Sequence, residues 1–430
     1  MIYNNINVYN SDKMMFEKKS IVIEDGLFKR ISDASFENGY DYSDKYMLPV
    51  FINTHTHLAM SLLRNYADDL NLQDWLEKEI WPIEDLMSDE DMYWGSLLSM
   101  AEMISCGIST FNDMYTAEHL NIKAAKEIGM RGVICQGLTN FSEDVFNTQL
   151  NKTYDLLNTN IPDYLKIGIA PHAIYTFDDN GYVFAKELAN KNGLIFHTHL
   201  SETMKENEDS IKNYKKSPTK YLDDLGVIDE NTVLAHCVYL SDDDLEIIAK
   251  RKASVSINIS SNLKLGSGIP DIKKMLDYNI NVSIGTDGAS SNNNQSMLKE
   301  MQLISLVTKG LNKNPCLLSA GEIINMATRN GAKALHFEKI GEIKEGYQAD
   351  FSIFDLSDIH NCPVNNPVSA IVYSAKDSDI CEVCIKGNVV YKDKKFINID
   401  INEVKENCKN IIQNLRRKLW SGEVEKVVQI

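Results

Sequence analysis

The chain has 430 residues, 43% of them hydrophobic, which predicts a large domain with a smaller appendage rather than one small core. Forty-four basic residues against 61 acidic ones leave a net charge of −17, so neither nucleic acid nor a membrane is expected as a partner. No segment approaches the roughly 20 apolar residues that span a bilayer. The N-terminus has no signal pattern, and the eight cysteines are scattered, so we expect a cytoplasmic protein with reduced thiols.

Both ends of the chain predict β-structure. Ile21–Ile31 carries an Asp-Gly pair between alternating apolar residues, which is typical of a hairpin. Near the other end, Ala349–Leu356 is strand-like and Val383–Tyr391 has the pattern of a second hairpin. An isolated hairpin is marginally stable in water, so the two ends are expected to pair. We predict one small β-sandwich domain formed by residues 1–49 and 346–400.

The middle of the chain, residues 50–345, alternates strand-like runs with amphipathic stretches typical of helices. Eight strands are predicted, at Leu48–Thr54, Gly107–Asn112, Gly132–Gly137, Leu165–Ala170, Gly193–His199, Thr232–His236, Ala253–Ile259 and Ile280–Thr286. Eight strands that alternate with helices predict an α/β fold, the (β/α)8 TIM barrel, whose catalytic groups lie at the C-terminal ends of the strands. Residues 401–430 are predicted to form a C-terminal helix and tail.

Histidines and an aspartate stand at several of these predicted strand ends. His55 and His57 are two residues apart at the end of the first strand, so their side chains point to the same face. His199 ends the fifth strand, and Asp287 follows the eighth. Three imidazoles and a carboxylate suit one catalytic Zn²⁺ that keeps a position open for water, and Fe²⁺ or Mn²⁺ would accept the same donors.

Two further groups near these strand ends are candidates for proton transfer. Glu202 follows His199 by three residues, in the loop above the strand, where a carboxyl group can exchange protons with water at a metal. His236 ends the sixth strand and is predicted to polarise water or substrate rather than to bind the metal. His197 faces the same side of its strand as His199, and we expect it to support a ligand or the core.

Taken together, these motifs resemble those of the amidohydrolase superfamily. Within it, they are most similar to the S-adenosylhomocysteine/5′-methylthioadenosine deaminase-like aminohydrolases, a group that includes triazine hydrolases and chlorohydrolases. The matching segments occur in the family's order over nearly the whole chain, and they are Asn53–His57, Ala170–His172, His199–Thr203, Ala235–Cys237 and Gly285–Gly288.

The resemblance implies one divalent metal and a defined set of residues around it. The implied metal ligands are His55, His57, His199 and Asp287. The residues implied in catalysis are Glu202, His236 and Asp287, and those implied in substrate binding include Glu84, His172 and Glu202. Relatives with two metals bridge them with a lysine on the fourth strand; Lys166 opens that strand at the wrong end, so we interpret it as a surface residue.

The reaction implied by the resemblance is hydrolytic deamination of an aminated heteroaromatic ring, with release of ammonia. A divalent metal lowers the pKa of bound water toward neutrality. Glu202 would then protonate a ring nitrogen, Asp287 would accept a proton from the attacking water, and His236 would stabilise the charge that develops on oxygen.

The predicted substrate depends on the loop after the third barrel strand. S-adenosylhomocysteine deaminases hold the ribose and the amino-acid carboxylate with arginines there, whereas this chain has Gln136, followed by Glu143 and Asp144. A buried carboxylate without a fixed cation is costly. With Gln136 in the substrate site, we therefore expect 5′-methylthioadenosine, 5′-deoxyadenosine or adenosine to be preferred over S-adenosylhomocysteine.

Two alternatives remain open at the level of sequence. The first is an aminohydrolase that acts on another aminated ring, such as guanine, a pterin or a triazine. The second is a catalytically silent barrel with a regulatory role, against which the presence of a whole set of candidate metal ligands argues. Whether the protein forms a homo-oligomer is also open, because nothing in the sequence marks an interface.

Overall fold

The computed structural model describes residues 1–421, and the predicted tail beyond them lies outside this range. None of the helices within it has the length and hydropathy that crossing a membrane requires. The strands are β1 (Ile2–Asn10), β2 (Met15–Glu24), β3 (Leu27–Ser32), β4 (Tyr40–Asp41), β5 (Tyr46–Pro49), β6 (Phe51–Thr56), β7 (Ile108–Tyr115), β8 (Arg131–Leu138), β9 (Leu165–Pro171), β10 (Ile195–Leu200), β11 (Thr232–His236), β12 (Ser254–Ile257), β13 (Asn281–Ile284), β14 (Phe351–Phe354), β15 (Ile380–Ile385), β16 (Asn388–Lys392) and β17 (Lys395–Phe396).

The α-helices follow the strands on the outside of the molecule and in its loops. They are α1 (Leu72–Asp74), α2 (Trp81–Glu84), α3 (Asp89–Ser105), α4 (Glu118–Ile128), α5 (Glu143–Leu157), α6 (Asp179–Asn192), α7 (Met204–Tyr214), α8 (Pro218–Asp224), α9 (Asp242–Arg251), α10 (Ile259–Lys264), α11 (Ile272–Asp277), α12 (Ala289–Asn292), α13 (Met297–Asn312), α14 (Ala320–Ala327), α15 (Arg329–Ala334), α16 (Pro367–Tyr373) and α17 (Ile401–Ser421). Short 3-10 helices span Leu58–Leu63, Ile359–Asn361 and Asp377–Asp379, and a π-helix spans Trp75–Ile80.

The eight strands β6 to β13 pair in parallel, each with the next along the chain. Contacts between the first and last of them nearly close the barrel: the N–H of Asp287 donates to the carbonyl of His55 (3.0 Å), and the Thr54 hydroxyl donates to the carbonyl of Ile284 (3.0 Å). All eight predicted strands are present, and the (β/α)8 fold predicted from the sequence is confirmed.

The strands from both ends of the chain form a second sheet, in the order β17-β16-β15-β14-β5-β1-β2-β3, with β4 beside β1. Its neighbours are antiparallel, except for β4 and β5, which run parallel to β1. The predicted pairing of the two termini is therefore confirmed. We propose the boundaries predicted from the sequence, 1–49 with 346–400 for this sheet and 50–345 for the barrel.

A buried ion pair joins the barrel to the terminal sheet. Arg131 opens β8 at the amino-terminal end of the barrel, and its Nε and Nη2 donate to Oδ2 of Asp350 at 3.1 and 2.9 Å. Nη2 also donates to Oε1 of Gln348 (2.6 Å), and the other carboxylate oxygen of Asp350 accepts from the N–H of Lys386 (2.6 Å). Burial of these charges is tolerated because each has hydrogen-bonding partners.

Helix ends in the barrel are set by local sequence. Ser88 caps α3, since its hydroxyl accepts from the N–H of Asp91 while the carboxylate of Asp91 accepts from the N–H of Ser88. Helices α4 and α6 end at Gly129 and Gly193, whose φ angles of +83° and +63° are left-handed values that glycine adopts readily. These stops turn the chain directly into the next barrel strand.

Candidate active site

The four predicted metal ligands converge at the C-terminal end of the barrel. Nε2 of His55 lies 3.4 Å, and Nε2 of His57 3.3 Å, from Oδ1 of Asp287. Nε2 of His199 lies 3.4 Å from Nε2 of His57. Strands β6 and β10 and the turn after β13 thus bring three imidazoles and a carboxylate to one point, although the residues are up to 232 positions apart in the chain.

Backbone carbonyls fix the orientation of two of these imidazoles. Nδ1 of His57 lies 2.7 Å from the carbonyl of Met114, and Nδ1 of His199 lies 2.8 Å from the carbonyl of His172. A carbonyl can only accept, so the proton of each ring is on Nδ1. In the neutral ring, Nε2 then carries a lone pair directed to the centre, which is the tautomer that metal-binding histidines use.

His55 is oriented by His197 in the same way. Nδ1 of His197 donates to the carbonyl of Val233 (2.9 Å), and burial lowers the pKa of His197 to about 4, so this ring is neutral. Its Nε2 therefore accepts from Nδ1 of His55 at 2.8 Å. Nε2 of His55 is left with a buried lone pair that has no hydrogen-bond partner among the described residues. Because such a group is costly unless it is bound, the residues present fit one divalent metal.

For most of these groups, the local electrostatics favour the protonation state that binds a metal, which is a neutral imidazole or an ionised carboxylate. Burial lowers the pKa of His55 and of His199 well below the ordinary histidine value. Burial opposes ionisation of Asp287, but the neighbouring imidazoles of His55 and His57 hold its pKa well below the usual range. Burial also lowers the pKa of His57, yet Asp287 outweighs it and raises that pKa to about 9. A metal would therefore compete with one proton, on His57.

The two predicted proton-transfer groups lie beside this centre. Oε1 of Glu202 accepts from the Ser267 hydroxyl (3.2 Å), and Oε2 lies 3.8 Å from Nε2 of His236. Burial raises the pKa of Glu202, so the protonated acid persists to higher pH than in an exposed glutamate. Nδ1 of His236 lies 2.8 Å from Oδ1 of Asn262, an acceptor that leaves Nε2 of this histidine facing the centre.

His236 is close enough to the centre to be a ligand as well. The donor atoms of His55, His199 and His236 all lie within 4.8 Å of one another, as do those of His55, His57 and Asp287. That His236 acts on water or substrate rather than on the metal stays a prediction.

Two of the predicted substrate contacts border the same centre. The Tyr115 hydroxyl donates to the Glu84 carboxyl, and burial raises the pKa of Glu84 to about 7. The His172 ring lies 4.7 Å from the His199 ring, centroid to centroid, and its Nδ1 is 3.0 Å from the Thr176 hydroxyl oxygen. Their contact with substrate stays a prediction.

Gln136, the third predicted contact, is fully buried near the end of β8. Its Nε2 donates to the carbonyl of Gly137 (3.1 Å), whereas no residue in the described part of the chain donates a hydrogen bond to its Oε1. Successive residues of a strand face opposite sides of the sheet. The neighbouring Cys135 belongs to the apolar cluster inside the barrel, and its thiol donates a hydrogen bond to Oδ1 of Asn112. The side chain of Gln136 therefore leaves the backbone on the side of β8 that faces the helices. Its contact with substrate stays a prediction.

Lys166 lies at the other end of the barrel. Its Nζ donates to the carbonyls of Leu335 (3.2 Å) and His336 (2.6 Å) and lies 4.3 Å from the centre of the Phe337 ring. The side chain is half-buried rather than a plain surface residue, because it joins β9 to the segment after α15. At the amino-terminal end of β9, it is not placed to bridge metals at the site.

Two supporting residues were missed in the sequence. Asn262 lies on α10, a short helix that was not predicted after the strand at Ala253–Ile259, and it orients His236. Glu206 accepts from the N–H groups of Ser201 and Glu202. The spacing from Thr203 to Glu206 is that of a helix-capping box, so the sequence could have placed Glu206 in the first turn of a helix. It could not have shown that Glu206 binds the loop that carries Glu202.

The fold and the site together define a (β/α)8 barrel with a candidate metal centre at the C-terminal ends of its strands. Residues 46–390 match the amidohydrolase family, and the chain belongs to that family. It is 41% identical over 413 residues to the 5-methylthioadenosine/S-adenosylhomocysteine deaminase of Thermoanaerobacter pseudethanolicus, a match that covers 94% of this chain and 96% of that protein.

Two further comparisons extend this relationship. The chain is 40% identical over 413 residues to the 5′-deoxyadenosine deaminase of Methanosphaera stadtmanae, again covering 94% of this chain and 96% of that protein. The crystal structure of an adenosine deaminase from Xanthomonas campestris with bound zinc superposes with a TM-score of 0.92 at 26% identity, covering 96% of this chain and 99% of that one.

Proposed function

We propose that this protein is a metal-dependent hydrolase that deaminates an adenosine derivative and releases ammonia. The observation that carries the proposal is the convergence of three imidazole Nε2 atoms and the Asp287 carboxylate beside the buried acid Glu202. The relatives named 5-methylthioadenosine/S-adenosylhomocysteine deaminase and 5′-deoxyadenosine deaminase, at about 40% identity over most of the chain, support this substrate class.

The metal would be held by His55, His57, His199 and Asp287. When bound, a divalent ion would lower the pKa of a water molecule and so supply a nucleophile near neutral pH. We propose Zn²⁺, since three imidazole nitrogens and one carboxylate oxygen are a usual zinc donor set, and the adenosine deaminase of similar fold contains zinc.

The chain's own residues would move the protons. Glu202, whose pKa is raised by burial, would donate a proton to a ring nitrogen of the base, which makes the amino-bearing carbon more electrophilic. Asp287 would accept a proton from the attacking water, and a proton would pass to the amino group as its bond to the ring carbon breaks and ammonia leaves. His236, held by Asn262 with Nε2 toward the centre, would stabilise the charge that develops on the oxygen.

The loop after β8 favours a substrate without a carboxylate. Glu143 and Asp144 are both exposed at the start of α5, and Gln136 stands where the resemblance to S-adenosylhomocysteine deaminases leads us to expect an arginine. We therefore propose that 5′-methylthioadenosine, 5′-deoxyadenosine and adenosine are better substrates than S-adenosylhomocysteine.

The test is ammonia release by the zinc-loaded protein from these four nucleosides and from guanine, a pterin and an aminotriazine. We expect turnover of the three neutral nucleosides and weaker turnover of S-adenosylhomocysteine. The matched control is Glu202→Gln, which should bind the metal but lose about 10²- to 10⁴-fold in kcat. Activity confined to guanine, the pterin or the triazine would contradict the substrate, and silence on every compound would contradict the enzyme.

A further inference from the structure

The carboxylate of Glu206, which is outside the proposed catalytic set, accepts hydrogen bonds from the backbone of the loop that carries Glu202. Oε1 of Glu206 accepts from the N–H of Ser201 (2.9 Å), and Oε2 accepts from the N–H of Glu202 (2.8 Å). Glu206 is buried, with 6% of its surface exposed. Because both oxygens are occupied by backbone donors, this side chain is placed to hold the loop rather than to exchange protons with a substrate.

The contact differs from ordinary capping of a helix. Thr203 is the N-cap of α7, and its hydroxyl accepts from the N–H of Glu206 (3.1 Å). In a capping box, a glutamate at this position would reach back to the N–H of the capping residue itself. Here, the carboxylate instead binds the N–H groups of the two residues before the cap. Helix α7 therefore anchors the segment that carries Glu202.

The same segment also supports the turn that carries His236. The carbonyl of Ser201 accepts from the N–H groups of Val238 and Tyr239, both at 3.0 Å. Ser201, His236 and Cys237 have φ angles of +50°, +72° and +51°, left-handed values that are unfavourable for residues with a side chain. Such conformations persist only where surrounding contacts impose them, and they cluster at functional sites. Glu206 provides two of these contacts.

We propose that Glu206 is a positioning residue, which holds the backbone of Glu202 directly and the His236 turn through the carbonyl of Ser201. The inference rests on the proposed function in so far as Glu202 and His236 are the acid–base groups. It goes beyond that function because it assigns their alignment to a residue that does not face the reacting atoms. A carboxylate is needed because two adjacent N–H groups require two acceptor oxygens.

The test compares Glu206→Gln with the matched control Glu208→Gln, which removes the same charge from an exposed position on the same helix. In Glu206→Gln, one acceptor oxygen becomes an amide donor that faces a backbone N–H. We expect kcat to fall about 10- to 100-fold, with KM and metal content unchanged. Amide hydrogen exchange at Ser201 and Glu202 should be faster than in the wild type, and Glu208→Gln should match the wild type in all four measurements.

A second variant keeps the test decisive if Glu206→Gln does not fold. Glu206→Asp retains both acceptor oxygens on a shorter side chain, and we expect its kcat to lie between those of the wild type and Glu206→Gln. Wild-type kcat or unchanged exchange in the folded variants would overturn the positioning role. If the wild type deaminates no nucleoside, the proposed function fails, while hydrogen exchange still decides whether Glu206 holds the loop.

Discussion

The two ends of the barrel differ in how completely their buried polar groups are hydrogen-bonded within the protein. At the amino-terminal end, Arg131 and Asp350 satisfy each other, and Gln348 and the N–H of Lys386 complete their hydrogen bonds. At the carboxyl-terminal end, buried atoms such as Nε2 of His55 have no hydrogen-bond partner among residues 1–421. The amino-terminal end therefore holds an ion pair that joins two parts of the fold, whereas the carboxyl-terminal end has buried polar atoms that are available to bind a metal or a substrate.

The strand β8 shows the contrast within one element. It begins with Arg131, whose hydrogen bonds join two parts of the fold. Five residues later comes Gln136, whose Oε1 is buried and has no hydrogen-bond partner in residues 1–421. An unsatisfied buried polar group costs about 1–3 kcal/mol. Such groups are therefore expected where binding outweighs their cost in stability, and changes at the two ends should separate activity from stability.

The largest effect is expected from removing a metal ligand at the carboxyl-terminal end. His199→Ala should lose the metal and reduce kcat/KM by about a thousandfold or more, since the metal supplies several kcal/mol of stabilisation. Metal content by elemental analysis and activity are the measurements. His119→Ala, at an exposed histidine on α4, is the control and should change neither. Full metal content in His199→Ala would remove this residue from the ligand set.

The opposite result is expected at the amino-terminal end. Arg131→Met should lower the free energy of unfolding by about 3–5 kcal/mol, because it leaves the Asp350 carboxylate buried without its partner. The kcat of the folded fraction should stay unchanged. Denaturant unfolding and activity per metal-loaded molecule check both statements, with the exposed Arg30→Met as control. A large loss of kcat with intact stability would show that the two ends are not independent.

A smaller, pH-dependent effect is expected at Glu84. Its pKa is raised by burial to about 7, so the carboxylate form grows as the pH rises through 7. If this carboxylate accepts hydrogen bonds from ribose hydroxyls, KM should fall about fivefold across that range, since an ionised acceptor gains about 1 kcal/mol over a neutral one. Glu84→Gln should give a KM that does not vary with pH, whereas the exposed Glu90→Gln on α3 should keep the wild-type profile. A pH-dependent KM in Glu84→Gln would assign the titration to another group.

The local pattern was enough to predict the strands, the pairing of the termini and the four candidate metal ligands that converge, because alternation and strand-end position are local properties. His55 and His57 share a face through their spacing alone. The links from Asn262 to His236 and from Glu206 to Ser201 were not predictable in this way. They depend on contacts between separate loops and on left-handed backbone at residues other than glycine, for which the sequence carries no composition signal.

The smallest effect concerns specificity at Gln136. Gln136→Arg would place a guanidinium near the end of β8, where a carboxylate on the 5′ substituent could pair with it. We expect kcat/KM for S-adenosylhomocysteine to rise about threefold relative to 5′-methylthioadenosine, which corresponds to about 0.65 kcal/mol. Gln136→Met, of similar length but uncharged, controls for the loss of the amide. An unchanged ratio in Gln136→Arg would mean that this side chain stays on the helix side of β8, and the preference for neutral substrates would then have to come from the acidic start of α5.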